Sequence, residues 1–178
     1  MRHGVAFAVA SDLIVAPFSV VDGATDIVVQ AASGQTDTVT VVHVDAASGL
    51  ALLKLDKLKT APIAVADTFD GGPVQCMSLT TVELFRPDAS VIEGQAPRPG
   101  AKWVVRMIAN PVMPGAPLLS GGKIVGVTFA SHDTEPGAVN AVTFKPLKEL
   151  LKANPRPAIA FTKDPKQAIF QVTATHGR

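Results

Sequence analysis

Short apolar runs rich in Val, Ala, Thr and Ile recur along the chain, and Gly, Pro, Asp or Ser residues end most of them. Runs of this length and composition, separated by turn residues, are typical of short β-strands. In the first half of the chain this pattern predicts strands at Val5–Ala10, Leu13–Pro17, Thr25–Gln30, Thr38–Val44, Leu50–Leu55 and Val74–Leu79. We interpret these six runs as the strands of one closed barrel in an all-β protein.

A stretch rich in Pro and Gly, residues 85–100, follows the first set of strands and predicts a connection with a long loop. Beyond it the pattern predicts a second set of strands at Val104–Ile108, Ala116–Leu119, Ile124–Ala130 and Ala138–Thr143. One amphipathic helix comes next, with Thr143 as its N-cap, Pro146 in its first turn and Asn154 at its end. The tail carries two further strand-like pieces, Ala158–Thr162 and Gln167–Ala174.

The overall charge is close to balance, with 16 Lys and Arg residues against 15 Asp and Glu. Such a chain has no global field that would attract nucleic acid or an anionic membrane. There is no Tyr, and the single Trp, Trp103, has no aromatic neighbours in sequence with which to stack bases. No apolar run reaches the eighteen or so residues that a membrane-spanning helix needs. We therefore expect neither a nucleic-acid partner nor membrane insertion.

Residue types that hold metals or cofactors are sparse. Cys76 is the only cysteine, so the chain can form neither an intrachain disulfide nor a cysteine-based zinc site. The four histidines are far apart in sequence and lack metal-ligand spacing. The pairs Gly71-Gly72 and Gly121-Gly122 open no predicted helix and lack the lysine and hydroxyl of a phosphate loop, which favours hairpin turns. We expect no metal and no cofactor.

Four segments follow one another in a specific order: Gly4–Val9, Leu13–Ala24, Val44–Asp56, and Asn110–Leu119 with the hairpin Gly122–Val127 after it. In this order they resemble the landmarks of trypsin-like serine proteases of the bacterial HtrA type. They match, in turn, the opening strand, the strand and turn that carry the catalytic His, the Asp before a Leu-Ala-Leu-Leu strand, and the nucleophile loop. The resemblance extends over Gly4–Ala153 and implies two six-stranded antiparallel barrels with a C-terminal helix.

The same alignment places Ser19 at the position of the catalytic His, Gly49 at that of the Asp and Pro114 at that of the nucleophilic Ser. A triad needs a hydroxyl, an imidazole to take its proton and a carboxylate to orient the imidazole. None of the three groups is present. Proline also lacks the backbone N–H that is one of the family's two oxyanion-hole donors. The resemblance therefore implies a pseudoprotease, not an enzyme.

Other residues could in principle replace the triad, and the alternative hypothesis is a serine hydrolase with a rearranged active site. Ser120 precedes Gly121-Gly122 and imitates a Ser-Gly-Gly motif, but a hairpin follows at once, which favours a turn serine. His43 belongs to an alternating strand, where a structural histidine is expected. His132 beside Asp133 predicts a polar loop, because consecutive residues cannot line up as nucleophile, base and orienting group.

In the family, the substrate pairs with the strand that follows the nucleophile hairpin. The resemblance places that strand at Thr128, Phe129, Ala130 and Ser131. Edge pairing requires no triad, so we expect an extended peptide or a protein partner there. The alternatives are an edge that the chain's own loops block and a purely structural subunit of a larger assembly.

We expect one trypsin-like domain over 1–178, with a first barrel at 1–84, a connection at 85–100, a second barrel and helix at 101–154 and a C-terminal extension at 155–178. The family has a further strand before the segment that begins here at Gly4. We predict that Gln167–Ala174 takes that place beside Val5–Val9, because an uncovered edge invites aggregation. The alternatives are that this segment docks on the second barrel or on a neighbouring chain, or that the strand lies in a leader upstream.

Overall fold

A computed structural model describes residues 1–79, 89–109, 113–131 and 137–177, with only the backbone of residues 130 and 131. The strands are β1 (Arg2–Ala8), β2 (Leu13–Pro17), β3 (Ala24–Ala31), β4 (Thr36–Asp45), β5 (Leu50–Leu55), β6 (Gly72–Leu79), β7 (Ala89–Ala96), β8 (Trp103–Met107), β9 (Pro117–Ser120), β10 (Lys123–Ser131), β11 (Ala138–Thr143) and β12 (Ile169–His176). The α-helices are α1 (Phe18–Val21) and α2 (Phe144–Ala153), and a 3₁₀ turn spans Pro165–Ala168.

The strands form two closed six-stranded barrels. The first has the order β1-β12-β3-β4-β5-β2 and the second the order β10-β11-β8-β7-β6-β9. All pairings between these strands are antiparallel. The predicted fold class, two antiparallel barrels with a C-terminal helix, is confirmed.

The predicted boundary between the barrels is wrong. Strand β6, which we expected to close the first barrel, pairs with β7 and β9 and belongs to the second. The predicted connection at 85–100 contains β7, which pairs with β6 from Gly72↔Ala96 to Leu79↔Ala89. Gly94 gave this region the appearance of a turn, but it is a strand residue with Met107 of β8 lying against it, where a Cβ would overlap the Met107 Sδ.

The predicted helix is confirmed as α2. The Thr143 side chain accepts a hydrogen bond from the N–H of Lys145, and Leu147 and Leu150 are buried on the inner face. In the part of the chain that the structure describes, no helix is long and apolar enough to cross a membrane. The strand predicted at Ala158–Thr162 is absent, because this segment pairs with none of the described strands.

Strand β12 closes the first barrel, as we predicted for the tail. It pairs with β1 from Arg2↔Ala174 to Phe7↔Ile169, and its other edge pairs with β3. The strand begins at Ile169 instead of Gln167, because Asp164 caps the 3₁₀ turn that precedes it. The apolar side chains of β12 are part of the core, each at most 1% exposed: Ile169, Phe170, Val172 and Ala174.

A buried carboxylate, Asp37 on β4, fixes the segment that follows β5. Its Oδ2 accepts hydrogen bonds from the N–H groups of Lys57 and Leu58, both at 2.8 Å, and its Oδ1 accepts one from Thr38 at 2.9 Å. Burial by itself raises the pKa of Asp37, but these backbone hydrogen bonds outweigh it and hold the pKa below its ordinary value.

Candidate functional site

Helix α1 carries the first of the three triad positions. It follows β2 directly, with Pro17 as N-cap, and Val20 and Val21 are buried while Ser19 is exposed. The N–H of Phe18 donates a hydrogen bond of 2.7 Å to the carbonyl oxygen of Gly49. The position expected for a catalytic His therefore lies beside the position expected for its Asp.

Gly49 precedes β5 and has a φ of +75°, in the left-handed region that favours glycine. A Cβ at this position would lie 3.5 Å from two carbons of the Phe129 ring. An Asp at Gly49 would thus adopt an unfavourable backbone conformation, and its side chain would lie against the Phe129 ring.

The loop that carries Pro114 is tied to both barrels. The Pro114 carbonyl accepts a 2.8 Å hydrogen bond from the N–H of Val5 on β1. The N–H of Gly115 donates to the carbonyl of Thr128 at 2.8 Å, and the N–H and Oγ1 of Thr128 donate to the Ala116 carbonyl at 2.9 and 3.1 Å. The loop is therefore held from β1 on one side and from β10 on the other.

A close approach of backbone to backbone makes Gly115 necessary in this loop. Its φ is +98°, and a Cβ there would overlap the carbonyl oxygen of Val5 and lie 2.6 Å from the Pro17 ring. Any larger residue would push the loop away from β1 and α1.

The three predicted triad positions lie close together at this junction between the barrels. A Cβ at Gly4 would lie 3.0 Å from Val20 of α1 and 3.2 Å from the Pro114 carbonyl oxygen, so only a glycine separates the helix from the loop. Pro114 has no N–H, and the next N–H along the loop, that of Gly115, already has a partner. Neither of these two residues offers a free donor to an oxyanion.

Neither the protein-family models nor the curated protein sequences match this chain. The structure is similar to that of the Rv3671c protease from M. tuberculosis in its active form, with a TM-score of 0.71 and 17% identity over 92% of this chain and 78% of that chain. The chain has a trypsin-like fold. The inactive form of the same protease gives a TM-score of 0.68 and 17% identity over 86% of this chain and 84% of that chain. The HtrA-type protease AlgW with decapeptide gives a TM-score of 0.70 and 18% identity over 84% of this chain and 50% of that chain.

Among the residues predicted to bind a peptide, Thr128 has a structural role. Thr128 is fully buried, and its N–H, carbonyl and hydroxyl all hold the Pro114 loop. Phe129 is half-buried against Gly49. Thr128 therefore supports the loop, and its backbone groups are not free to pair with a peptide.

The strand pairing of β10 changes at residues 129–131. Strand β10 keeps its pairing with β11 up to Ser131↔Val139, with a register shift after Thr128. Its register with β9, by contrast, ends at Val127↔Pro117. Among the described strands, residues 129–131 thus have a neighbour on one side only, as edge pairing with a peptide requires.

Each of the described histidines has a hydrogen-bond partner that is not a serine. The contacts are His3 Nδ1 to Thr173 Oγ1 at 3.2 Å, His43 Nδ1 to Asn154 Nδ2 at 3.0 Å, and His176 Nε2 to the Asp22 carbonyl at 3.0 Å. His132 and Asp133 lie outside the described residues. Across the described ranges, no group of three or more His, Cys, Asp and Glu side chains is placed to hold a metal ion.

Two further nucleophile candidates are structural in this trypsin-like fold. Ser120 ends β9 and pairs with Lys123 across the tight turn to β10, as predicted for a turn serine. Cys76 is buried on β6 opposite Leu118, and burial raises its thiol pKa to about 12, with only partial compensation from a hydrogen bond with Thr128. A thiol with that pKa stays protonated at neutral pH and is a poor nucleophile.

Proposed function

We propose that this chain is a catalytically inactive trypsin-like domain that serves as a peptide-binding, protein-binding or structural scaffold. The proposal rests on Pro114, which the alignment predicts at the nucleophile position, and on the observation that the neighbouring N–H, that of Gly115, is bonded to the Thr128 carbonyl. Proline supplies neither an attacking oxygen nor an oxyanion donor.

The expected loss of rate is large enough to make hydrolysis by the family mechanism negligible. Removing one oxyanion donor alone costs about 10²–10³ in kcat. Removing the nucleophile or the base costs about 10⁶, because the triad acts as a unit. At the predicted positions, Ser19 has no imidazole, Gly49 has no carboxylate, and Pro114 has neither a hydroxyl nor an N–H.

The one-sided pairing of residues 129–131 supports peptide binding at the strand that corresponds to the family's substrate-pairing strand. A peptide that pairs with this edge gains main-chain hydrogen bonds without any catalytic group. Hydrogen bonds with Val5 and Thr128 fix the Pro114 loop beside β10, and a fixed neighbouring loop lowers the entropic cost of holding an extended peptide.

Activity is tested with a fluorophosphonate label and with cleavage of unfolded casein. We expect neither signal from the natural chain, from Pro114→Ser, or from the triple variant Ser19→His, Gly49→Asp, Pro114→Ser. Unfolding midpoints within a few degrees of the natural chain establish that the variants are folded. Labelling that one serine substitution abolishes would support the rearranged hydrolase and refute the proposal. Robust casein cleavage by Pro114→Ser alone would refute the alignment.

Peptide binding is tested by titrating an extended peptide while following backbone NMR signals. We expect shifts at residues 129–131, whereas Lys102, exposed near the start of β8, serves as an internal reference that does not move. Shifts confined to other regions, or no shifts, would exclude this edge and leave the structural-subunit role.

A further inference from the structure

A second surface lies away from the triad positions, in a groove of about 460 Å³ between α2 and the segment that follows it. Its apolar lining includes Val9, Ala10, Pro62, Leu151, Ile159 and Phe161. A volume of this size is within the range of ligand-binding clefts. The lining is apolar enough to take several hydrophobic side chains from a partner.

One wall of the groove is segment 155–161, which contains no turn, bend or helix and is exposed along its whole length. Both ends of this segment are fixed to the first barrel. Arg156 Nε donates to Asp12 Oδ1 at 3.1 Å, and the N–H of Thr162 donates to the Pro62 carbonyl at 2.8 Å. These two contacts hold the segment in place before any partner arrives.

Between these anchors the backbone has open hydrogen-bonding capacity. In the described structure, residues 158–161 have no backbone hydrogen bond to another residue, although their sequence predicts a strand. The large apolar residues Ile159 and Phe161 alternate with alanines along the segment, and they are 39% and 59% exposed. An exposed apolar strand-like edge of this kind is a template for an added strand.

The charges around the groove decide which kind of strand fits. Lys152 and Arg156 line the groove, no carboxylate lines it among the residues that the structure describes, and the exposed Lys163 lies just beyond its end. Arg156 is paired with Asp12, whereas the pair of Lys152 with Glu149 is at 3.5 Å and largely exposed, so it contributes little. A second copy of the segment would bring these cations against their own counterparts, which disfavours self-pairing.

We propose that segment 155–161 is a docking strand for an extended peptide in which apolar and acidic side chains alternate. The peptide adds to the free edge at 158–161 and places its apolar side chains in the groove beside Phe161. Its carboxylates face Lys152 and Lys163. This site is separate from the edge at residues 129–131 and stands whether or not that edge binds peptide.

The test uses the full chain and a fluorescein-labelled ten-residue peptide of alternating Glu and Val, followed by fluorescence anisotropy. We expect saturable binding of the Glu-Val peptide. The matched peptide of alternating Lys and Val should bind with an affinity about tenfold lower, or less. The difference between the two peptides should shrink as salt is raised, because salt screens exposed charges. Equal affinity for the two peptides, or no binding of the Glu-Val peptide, would overturn the proposal.

Variants then locate the site. Phe161→Ser should weaken binding about tenfold or more through the lost apolar contact, while Ile108→Ser, at a residue 79% exposed elsewhere on the surface, should leave the affinity unchanged. Lys152→Glu should weaken binding, and Lys102→Glu is its matched control. An unchanged affinity in Phe161→Ser would overturn the assignment.

Hydrogen exchange separates this site from the other candidates. In the complex, the amides of residues 158–161 should gain protection while those of residues 129–131 do not change. The reverse pattern would transfer the binding to the old substrate strand and refute the docking strand. A dimer in sedimentation that Phe161→Ser dissociates would identify a second copy of the chain as the occupant, which would also refute it.

Discussion

Removal of β12 should unfold the first barrel. Ending the chain at Asp164 deletes the strand but keeps segment 155–161. The deleted strand buries Ile169, Phe170 and Val172, each at most 1% exposed. At about 1.5–3 kcal/mol for each buried side chain, the loss is roughly 5–9 kcal/mol, comparable with the total stability of a typical domain, about 5–15 kcal/mol. The deletion also uncovers the edges of β1 and β3.

The measurement is thermal unfolding by circular dichroism together with sedimentation velocity, on the full and the shortened chain. We expect the shortened chain to lose its cooperative transition or to aggregate through its open edges. Adding a synthetic peptide of residues 165–178 should restore the transition, whereas the same peptide with Phe170→Asp should not. A shortened chain that stays monomeric with the midpoint of the full chain would refute the assignment of β12 to the barrel's closure.

Three further predictions concern single residues. Asp37→Asn should lower the free energy of unfolding by about 1.5–3 kcal/mol at pH 7, measured by urea unfolding. Because the pKa of Asp37 is lowered in the folded chain, this loss should disappear as the pH falls through that pKa, and a loss that is constant with pH would contradict the prediction. Cys76 should react with a disulfide reagent only after unfolding, and rapid reaction of the folded chain would contradict its burial. Gly115→Ala should lower the unfolding midpoint far more than Gly121→Ala, since both have a positive φ but only Gly115 has backbone against it; equal losses would exclude the contact with Val5.

Strand positions were predictable where the local pattern alone determines them. Leu13–Pro17 and Leu50–Leu55 have the predicted bounds, because nearly every side chain in them is buried and turn residues flank them. Ala89–Ala96 was not predictable in this way, since most of its side chains are only partly buried and Gly94 imitates a turn. Its stability comes from the ladder with β6, which is a contact between distant parts of the sequence.

The same distinction explains why β6 was assigned to the wrong barrel while β12 was assigned to the right one. The apolar run in β6 would suit either barrel, and only its partner strands decide between them. The prediction for β12 rested instead on the number of edges that the fold must cover, which is a property of the whole barrel. Reasoning from topology therefore succeeded where reasoning from the local pattern had no information.

The candidate site shows a similar division. The apolar strands that flank Ser19, Gly49 and Pro114 align them with the landmarks of the family that the sequence resembles, and the replaced triad stays a prediction from that alignment. What surrounds those positions is tertiary: the Phe129 ring lies over Gly49, and Thr128 takes the N–H of Gly115. Both contacts join β10 to segments distant from it in sequence, which no motif encodes. These contacts also affect any attempt to build a triad. A carboxylate introduced at position 49 would disturb the packing against β10 as well as the backbone of Gly49.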